Sequence, residues 1–411
     1  MTAIRLACAV NNYHWGKHGL HSKAAQFYAA SHPDAAVDAE STYAELWMGT
    51  HPNGPSQVYG TDTGLSEVIA DNPEAALGAA VDSKYGGQLP FLFKVLSIEK
   101  ALSIQAHPDK RLAQMLHAER PDVYKDANHK PEMSIALTDF VALSGFRPLE
   151  DIAAFLEKYP ELRALTAASS GAFIAAASDQ ALGTDAKKKA LRALFSELMN
   201  APAEAVQQQL AALLARTQAS ADPLDTSETA LAHRLSTEYP GDVGVFCVFL
   251  LNVLKLVPGD AFYMGPNDPH AYIFGDCIEC MATSDNVVRA GLTPKLRDVP
   301  VLVDMLTYDY GSPHAKLLRP QPYGKSGHSS LYDPPIDEFA VVRSELPTGQ
   351  TETIESADGP RILIVVEGRG SLATGGETQP LEPGFVYYVC PGTSIALEAE
   401  QPLVTYTAQC I

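Results

Sequence analysis

The segment LVPGDAFYMGP (residues 256–266) recurs later as LEPGFVYYVCP (residues 381–391). Leu256, Pro258, Gly259, Tyr263 and Pro266 match Leu381, Pro383, Gly384, Tyr388 and Pro391 at a constant offset of 125 residues. In each copy Pro-Gly marks a turn, a tyrosine-bearing strand follows, and a proline ends it. Such a unit fits a β barrel or jelly roll, so a mainly β fold is expected, with two related barrels. The copies differ four residues past the final proline, where the first has His270 and the second Ile395. The first copy therefore reads as chemical and the second as structural.

Working outward, PFLFKVLSIEKALS (residues 90–103) reads as paired strands or a hairpin. Val243 to Leu251 forms the longest apolar run and reads as one or two buried strands. It is far shorter than the roughly 20 apolar residues that span a bilayer. Residues 149–240 change character: they are rich in Ala, Leu, Glu, Lys and Gln, all good helix formers. Ile152, Phe155 and Leu156 share one helical face, and Pro160 separates that helix from the next. Leu191, Leu194, Phe195, Leu198 and Met199 form a second stripe, and Pro202 opens a helix carrying Val206, Leu210, Leu213 and Leu214. The expected organisation is a catalytic β domain in two parts, 1–148 and 241–310, interrupted by a helical insertion at 149–240. A C-terminal barrel without metal follows at 311–411.

The chain has 411 residues and a formal charge of −19, from 49 acidic and 30 basic side chains. That balance argues against nucleic acid and against polybasic membrane docking, while leaving room for local cationic sites. Six dispersed cysteines suit a reducing compartment. The N-terminal MTAIRLACAVNNYHWG lacks the apolar core of a signal peptide, so a cytoplasmic protein is expected. Phosphate loops ending in GK[ST], GxGxxG turns and GxSxG elbows are missing from the sequence, which lowers nucleotide chemistry and serine hydrolysis.

Gln105-Ala106-His107 is the strongest chemical candidate, because alternate side chains of an extended segment share a face. With Glu132 and His270 it would supply an amide oxygen, two imidazoles and a carboxylate, a set suited to one zinc ion. The same histidines also read as ordinary polar residues in turns beside prolines. Glu279 alternates with Ile278 and Cys280 along a strand and so can face a pocket, whereas Cys277 and Cys280 read as buried, unpaired thiols. Arg289 and Lys295 are cationic donors near loops. Lys94, Lys100 and Lys130 add a local positive bias suited to an anionic small substrate, and Trp15, Glu45, Trp47 and His51 lie in loop-forming segments.

Six stretches, NNYHWGKHG (11–19), YAELWMGTHPNGPS (43–56), PFLFKVLS (90–97), LSIQAHPDK (102–110), NHKPEM (128–133) and PNDPHAYIFGDCIECMATSDNVVRAGLTPK (266–295), together resemble the type I phosphomannose isomerase family. The resemblance implies cupin-type barrels with a helical domain and one Zn2+ per chain held by Gln105, His107, Glu132 and His270. It implies reversible isomerisation of mannose 6-phosphate and fructose 6-phosphate through an enediol. It assigns catalysis to Arg289, Glu279, Lys130 and Asp285, and substrate binding to Ser103, Lys295, Tyr272, Trp15 and Glu45. The expected partner is a phosphorylated hexose, bound by a monomer. A metal-dependent cupin oxygenase and a non-catalytic sugar-phosphate binder are the alternatives; Gln105 and the phosphate-compatible cations argue against the oxygenase.

Overall fold

The strand His270–Ala282 carries the part of the architecture that matters for the site. Its sequence, HAYIFGDCIECMA, is buried at every position except the half-buried Phe274, as expected for a strand covered on both faces. It pairs antiparallel with Phe91–Ile98, Glu132–Ala136 and Phe140–Phe146, and His270 lies opposite Gln105 of Ile104–Ala106. The computed structural model describes residues 2–222 and 224–410.

That strand is not regular. Its register against Phe140–Phe146 slips where Val141 faces Phe274 and Ala142 faces Tyr272, leaving Ile273 as an extra residue. His270 and Glu279 are nine positions apart, an odd offset that would put them on opposite faces of an ideal strand. The bulge returns both to one side, and the Tyr272 hydroxyl accordingly donates to Glu279 Oε1 at 2.7 Å. Gly275, at φ +114°, follows the bulge; a Cβ there would lie 2.5 Å from the Asp139 carbonyl oxygen.

The expectation of a mainly β protein built from cupin or jelly-roll barrels is corrected. Helix and strand are nearly equal, at about 31% and 30%, and the sheets are open. An eight-stranded sheet ends at Gln321–Tyr323 and Gln57–Val58, and the main path of an eleven-stranded sheet ends at Leu317–Leu318 and Ala9–Asn11. Part of the excess helix lies outside the anticipated insertion, in Lys23–Ser31, Leu65–Asp71, Pro73–Leu77, Ala79–Tyr85, Lys110–Glu119 and Val299–Met305. The repeated LxPG units do share a local geometry: Leu251–Leu256 turns into Ala261–Met264, and Glu377–Leu381 into Val386–Val389. Gly259 and Gly384 take left-handed φ values of +93° and +87° at the two turns. The repeat is a shared turn, not a pair of closed barrels.

Two local readings also change. Val243–Phe249 is a 3-10 helix, not strand, started by the Asp242 side chain accepting from Gly244 N–H, and the strand begins at Leu251. An uninterrupted apolar run has no period to separate the two conformations. Phe91–Ile98 is one strand, not a hairpin; its partners are the distant Glu45–Met48 and His270–Ala282.

Between 149 and 240 the chain forms helices Leu149–Lys158, Pro160–Leu165, Ser170–Ser178, Thr184–Met199, Ala203–Arg216 and Glu228–Glu238, broken at Pro160 and Pro202 as expected. Leu191, Leu194, Phe195 and Leu198 form the buried stripe of the longest one. At the other end of the molecule, Ala3–Ala7 is inserted between Val386–Val389 and Gln57–Val58 in the eight-stranded sheet. A four-stranded sheet packs on that sheet through Leu372, Leu397, Leu363 and Tyr387. Among the described residues no helix is long and apolar enough to cross a membrane.

Phe195 ties the helices to the main sheet, with its ring edge-on to Phe146 at 5.4 Å between centroids and 6.3 Å from that of Tyr308. Phe195→Ala should therefore destabilise the fold by about 3–5 kcal/mol. Urea unfolding checks this; an unchanged midpoint would show that the stripe is not a structural joint.

Candidate metal centre and active site

Strand register assembles the floor of the site. Direct cross-strand pairing places Trp47, Lys94, Glu279 and Ser134 in one row, with Leu92, Met281, Glu132 and Met264 in the next. Opposed residues share a face, as do residues two apart, so both rows point the same way. Gln105 is paired with both His270 and Arg289, which brings a third row to the site.

His107, Glu132 and His270 are buried together, their ligand atoms all within 4.8 Å of one another. Glu132 Oε2 lies 3.2 Å from His107 Nε2 and 3.1 Å from His270 Nε2. Each imidazole is oriented from behind: Nδ1 lies 2.6 Å from the Asn286 carbonyl in His107, and 3.0 Å from the Asp268 carbonyl in His270. With the ring protons donated there, both Nε2 atoms present lone pairs to the Glu132 carboxylate, and none of these three buried atoms has a hydrogen-bond partner. Burial pushes the His107 pKa down to about 4, against the pull of Glu132, so its ring is neutral near pH 7. Burial alone would raise Glu132, but the Lys130 ammonium holds it well below the usual carboxylate range. Two lone pairs and a negative charge converging in a dry space call for a cation, and two imidazoles with a carboxylate are a donor set that suits zinc. Gln105 is paired with His270 across the strands and lines the adjoining cavity.

Beside this centre opens a cavity of about 390 Å³, within the size range of small-molecule sites. Gln105, Glu132, Arg289, Glu279, Lys130 and Asp285 line it, as do Ser103, Lys295, Tyr272, Trp15 and Glu45; His107 and His270 lie buried outside this lining. Trp47 and His51 also line the cavity, whereas Lys100 does not: its ammonium lies 4.4 Å from the centroid of the Tyr239 ring.

Lys94 emerges as more than a flanking charge. Its ammonium is buried 3.3 Å from Glu45 Oε2 and 3.1 Å from Glu279 Oε2. Burial opposes the charge on Lys94, yet Glu45 and then Glu279 hold its pKa above the ordinary lysine value. Burial raises Glu279 in turn, with Lys94 pulling the other way. Ser134 Oγ donates to the Tyr272 hydroxyl at 2.7 Å, completing a chain to Glu279. At the mouth His51 Nε2 lies 3.4 Å from Asp285 Oδ1, and this contact, more than any other cause, lowers the Asp285 pKa. Arg289 is different. It is half-buried with its pKa lowered by burial alone, and it has no ion-pair or hydrogen-bond partner among the described residues.

Sequence reasoning missed Tyr239, which reaches the cavity from the end of a helix, and the support behind His107. Asp126 accepts from Ser284 Oγ and Asp285 N–H, each at 2.8 Å, and from the Asn286 side-chain amide at 3.2 Å, fixing the residue whose carbonyl orients His107. Nothing in the local sequence signals this, since the partners are about 160 residues apart.

A buried His-Glu-His centre opening beside a small polar cavity defines a metalloenzyme acting on a small anionic molecule. Family models agree. Residues 3–149 match the catalytic domain of phosphomannose isomerase type I, 165–251 its helical insertion domain and 329–377 its C-terminal region. The mannose-6-phosphate isomerase of Cryptococcus neoformans is 46% identical, covering 99% of this chain and 98% of its own, and that of Saccharomyces cerevisiae is 44% identical, covering 98% of each. Crystal structures of a Salmonella typhimurium phosphomannose isomerase mutant and of a mannose 6-phosphate isomerase bound with zinc and yttrium each superpose with a TM-score of 0.84 at 32% identity, over the whole of both chains. The chain belongs to the type I phosphomannose isomerase family, and its metal centre holds one zinc ion per chain.

Glu132→Ala and His270→Ala should each abolish stoichiometric zinc retention, read by metal analysis after gel filtration. Asp126→Ala should weaken zinc binding by about 10–100-fold, measured by competition with a chromophoric chelator. Wild-type affinity in Asp126→Ala would show that the Asn286 carbonyl needs no such support.

Proposed function

We propose that this cavity performs the reversible, zinc-dependent interconversion of mannose 6-phosphate and fructose 6-phosphate, through a cis-enediol, by the following division of work. One observation carries the reading: the metal centre adjoins a cavity that also holds a half-buried, unpartnered guanidinium at Arg289 and a buried carboxyl at Glu279. Ser103 Oγ and Lys295 Nζ take the phosphate, whose binding energy holds the reacting carbons in place. Trp15 and Glu45 line the sugar, and Lys130 and Asp285 flank it.

When bound, zinc supplies Lewis acidity toward the oxygens of the open-chain sugar. In the aldose-to-ketose direction Glu279 takes the C2 proton and returns it to C1, while the proton on the C2 oxygen passes to the C1 oxygen. A carboxyl raised by burial is a stronger base than an ordinary one. Tyr272 and Lys94 hold its two oxygens in place. Arg289 stabilises the charge that develops on oxygen as the enediol forms.

The work divides along the chain as well, with 1–148 and 241–310 building most of the site, 149–240 an insertion that adds Tyr239 to its lining, and 311–411 a unit without metal. Among the described residues no disulfide joins any of the six cysteines, which supports a reducing compartment and a cytoplasmic protein. The charge of −19 favours a monomer through self-repulsion, a reading that sedimentation tests.

Turnover of mannose 6-phosphate by zinc-loaded protein, with a chelated control, tests the activity. Conversion that is lost on chelation is expected; zinc-loaded protein that binds the sugar phosphate without converting it would overturn the reading in favour of a binding role. Arg289→Ala should retain zinc and lose about 10²–10³ in kcat, and Arg289→Lys should not restore it fully, because an ammonium lacks the planar fork. Unchanged turnover would remove Arg289 from catalysis.

A further inference from the structure

The phosphate end of the cavity is made of irregular backbone, residues 99–103 leading to Ser103 and residues 292–295 leading to Lys295. Such segments keep their place only if other groups satisfy their backbone polar atoms. Both are gripped by the short segment that leaves the last helix of the insertion, Glu238 to Asp242. Glu238 Oε2 accepts from Ala101 N–H at 2.8 Å, and the Tyr239 hydroxyl donates to the Ala101 carbonyl, so both backbone groups of Ala101 are held from one side. Arg234 braces Glu238 at 3.0 Å and donates to the Glu99 carbonyl at 3.0 Å. Asp242 holds the second loop: Oδ1 accepts from Leu292 N–H at 2.8 Å and Oδ2 from Thr293 N–H at 3.0 Å.

The second grip sits where the backbone is strained. Leu292 has φ +55°, a left-handed conformation unusual for a side chain of its kind. A Cβ on Gly291 would lie 2.5 Å from Gly244 Cα, so the loop and the start of the 3-10 helix meet backbone to backbone with no side chain between them. Asp242 Oδ1 also accepts from Gly244 N–H at 2.7 Å, tying that helix start to the loop.

We propose that Glu238 and Asp242 are positioning residues for substrate phosphate, through which the helical insertion sets the spacing between Ser103 and Lys295. This rests on the placement of the phosphate at those two residues. Neither carboxylate touches substrate; each fixes the backbone of a loop that does.

The test uses zinc-loaded full-length enzyme, with inorganic phosphate as a competitive inhibitor. In Asp242→Asn the amide oxygen still serves Gly244 and Leu292, but the amide nitrogen faces Thr293 N–H, donor against donor. KM for mannose 6-phosphate and Ki for inorganic phosphate should both rise roughly tenfold, while kcat changes by less than about twofold and zinc content stays constant. Glu238→Ala, acting on the other loop, should shift the same two constants. Lys295→Met separates the two readings. If it weakens phosphate inhibition while Asp242→Asn and Glu238→Ala leave KM and Ki unchanged, the positioning role is overturned and the phosphate placement stands. If Lys295→Met leaves phosphate inhibition unchanged, the placement fails and the proposal fails with it. A fall in kcat or zinc content with KM and Ki unchanged would also overturn it, since that is the signature of general loosening.

Discussion

Three carboxylates face one largely dry floor. Glu45, Glu132 and Glu279 are all buried, and among the described residues the ammonium groups paired with them are those of Lys94 and Lys130. Buried charges persist where they are paired and hydrogen-bonded, and here every carboxylate has a cationic partner, yet one negative charge is left over. A divalent cation at His107, Glu132 and His270 turns that deficit into a surplus of one positive charge. With Arg289 unpaired nearby, the loaded site then attracts an anion. The acidic total of the chain and the anionic character of its ligand are thus compatible, because the balance that matters is local.

This arrangement depends on register. A charged row across four strands lands in one place only if each strand is paired without slipping, since a shift of one residue would turn the row to the opposite face. The exception is the bulge at Ile273, where an irregularity is required: without it, His270 and Glu279 would be separated by the thickness of the sheet. The glycine that follows accommodates the close approach of Asp139. The metal centre and the buried carboxyl of Glu279 are therefore joined on one strand by a local defect in its pairing.

Much of this was legible in the sequence, and the parts that were not share a cause. The helices at 149–240, their breaks at Pro160 and Pro202, and the turns at Gly259 and Gly384 follow from local chemistry, which a linear reading sees. The cluster of His107, Glu132 and His270 was readable, with Gln105, as a candidate zinc donor set, although the residues alone favoured reading the histidines as turn polars until the wider motifs were considered. The short helices outside the insertion were missed, and with them the balance of helix and strand, because brief amphipathic segments give weak periodicity. The open sheets and the location of Ala3–Ala7 were invisible for a different reason, being set by pairing between distant segments. Lys94 looked like a flanking charge because its partners, Glu45 and Glu279, come from other strands. Asp126 and Asp242 act on backbone groups, which carry no residue-type signature at all.

The position of Ala3–Ala7 has a consequence for how the protein is made. Ala3 pairs with Val389, so this strand waits for a partner made 386 residues later. At about 5–20 residues per second that delay is roughly 20–80 s, during which an apolar segment ending in Leu6 and Ala7 lacks its C-terminal partner. A ribosome that stops between His270 and Val386 releases a chain that holds His107, Glu132 and His270 but whose strand Ala3–Ala7 has an unpaired edge. Such an edge is a site for aggregation and for recognition by chaperones and proteases. The eight-stranded sheet thereby makes synthesis of Val386–Val389 a condition for covering that edge of Ala3–Ala7.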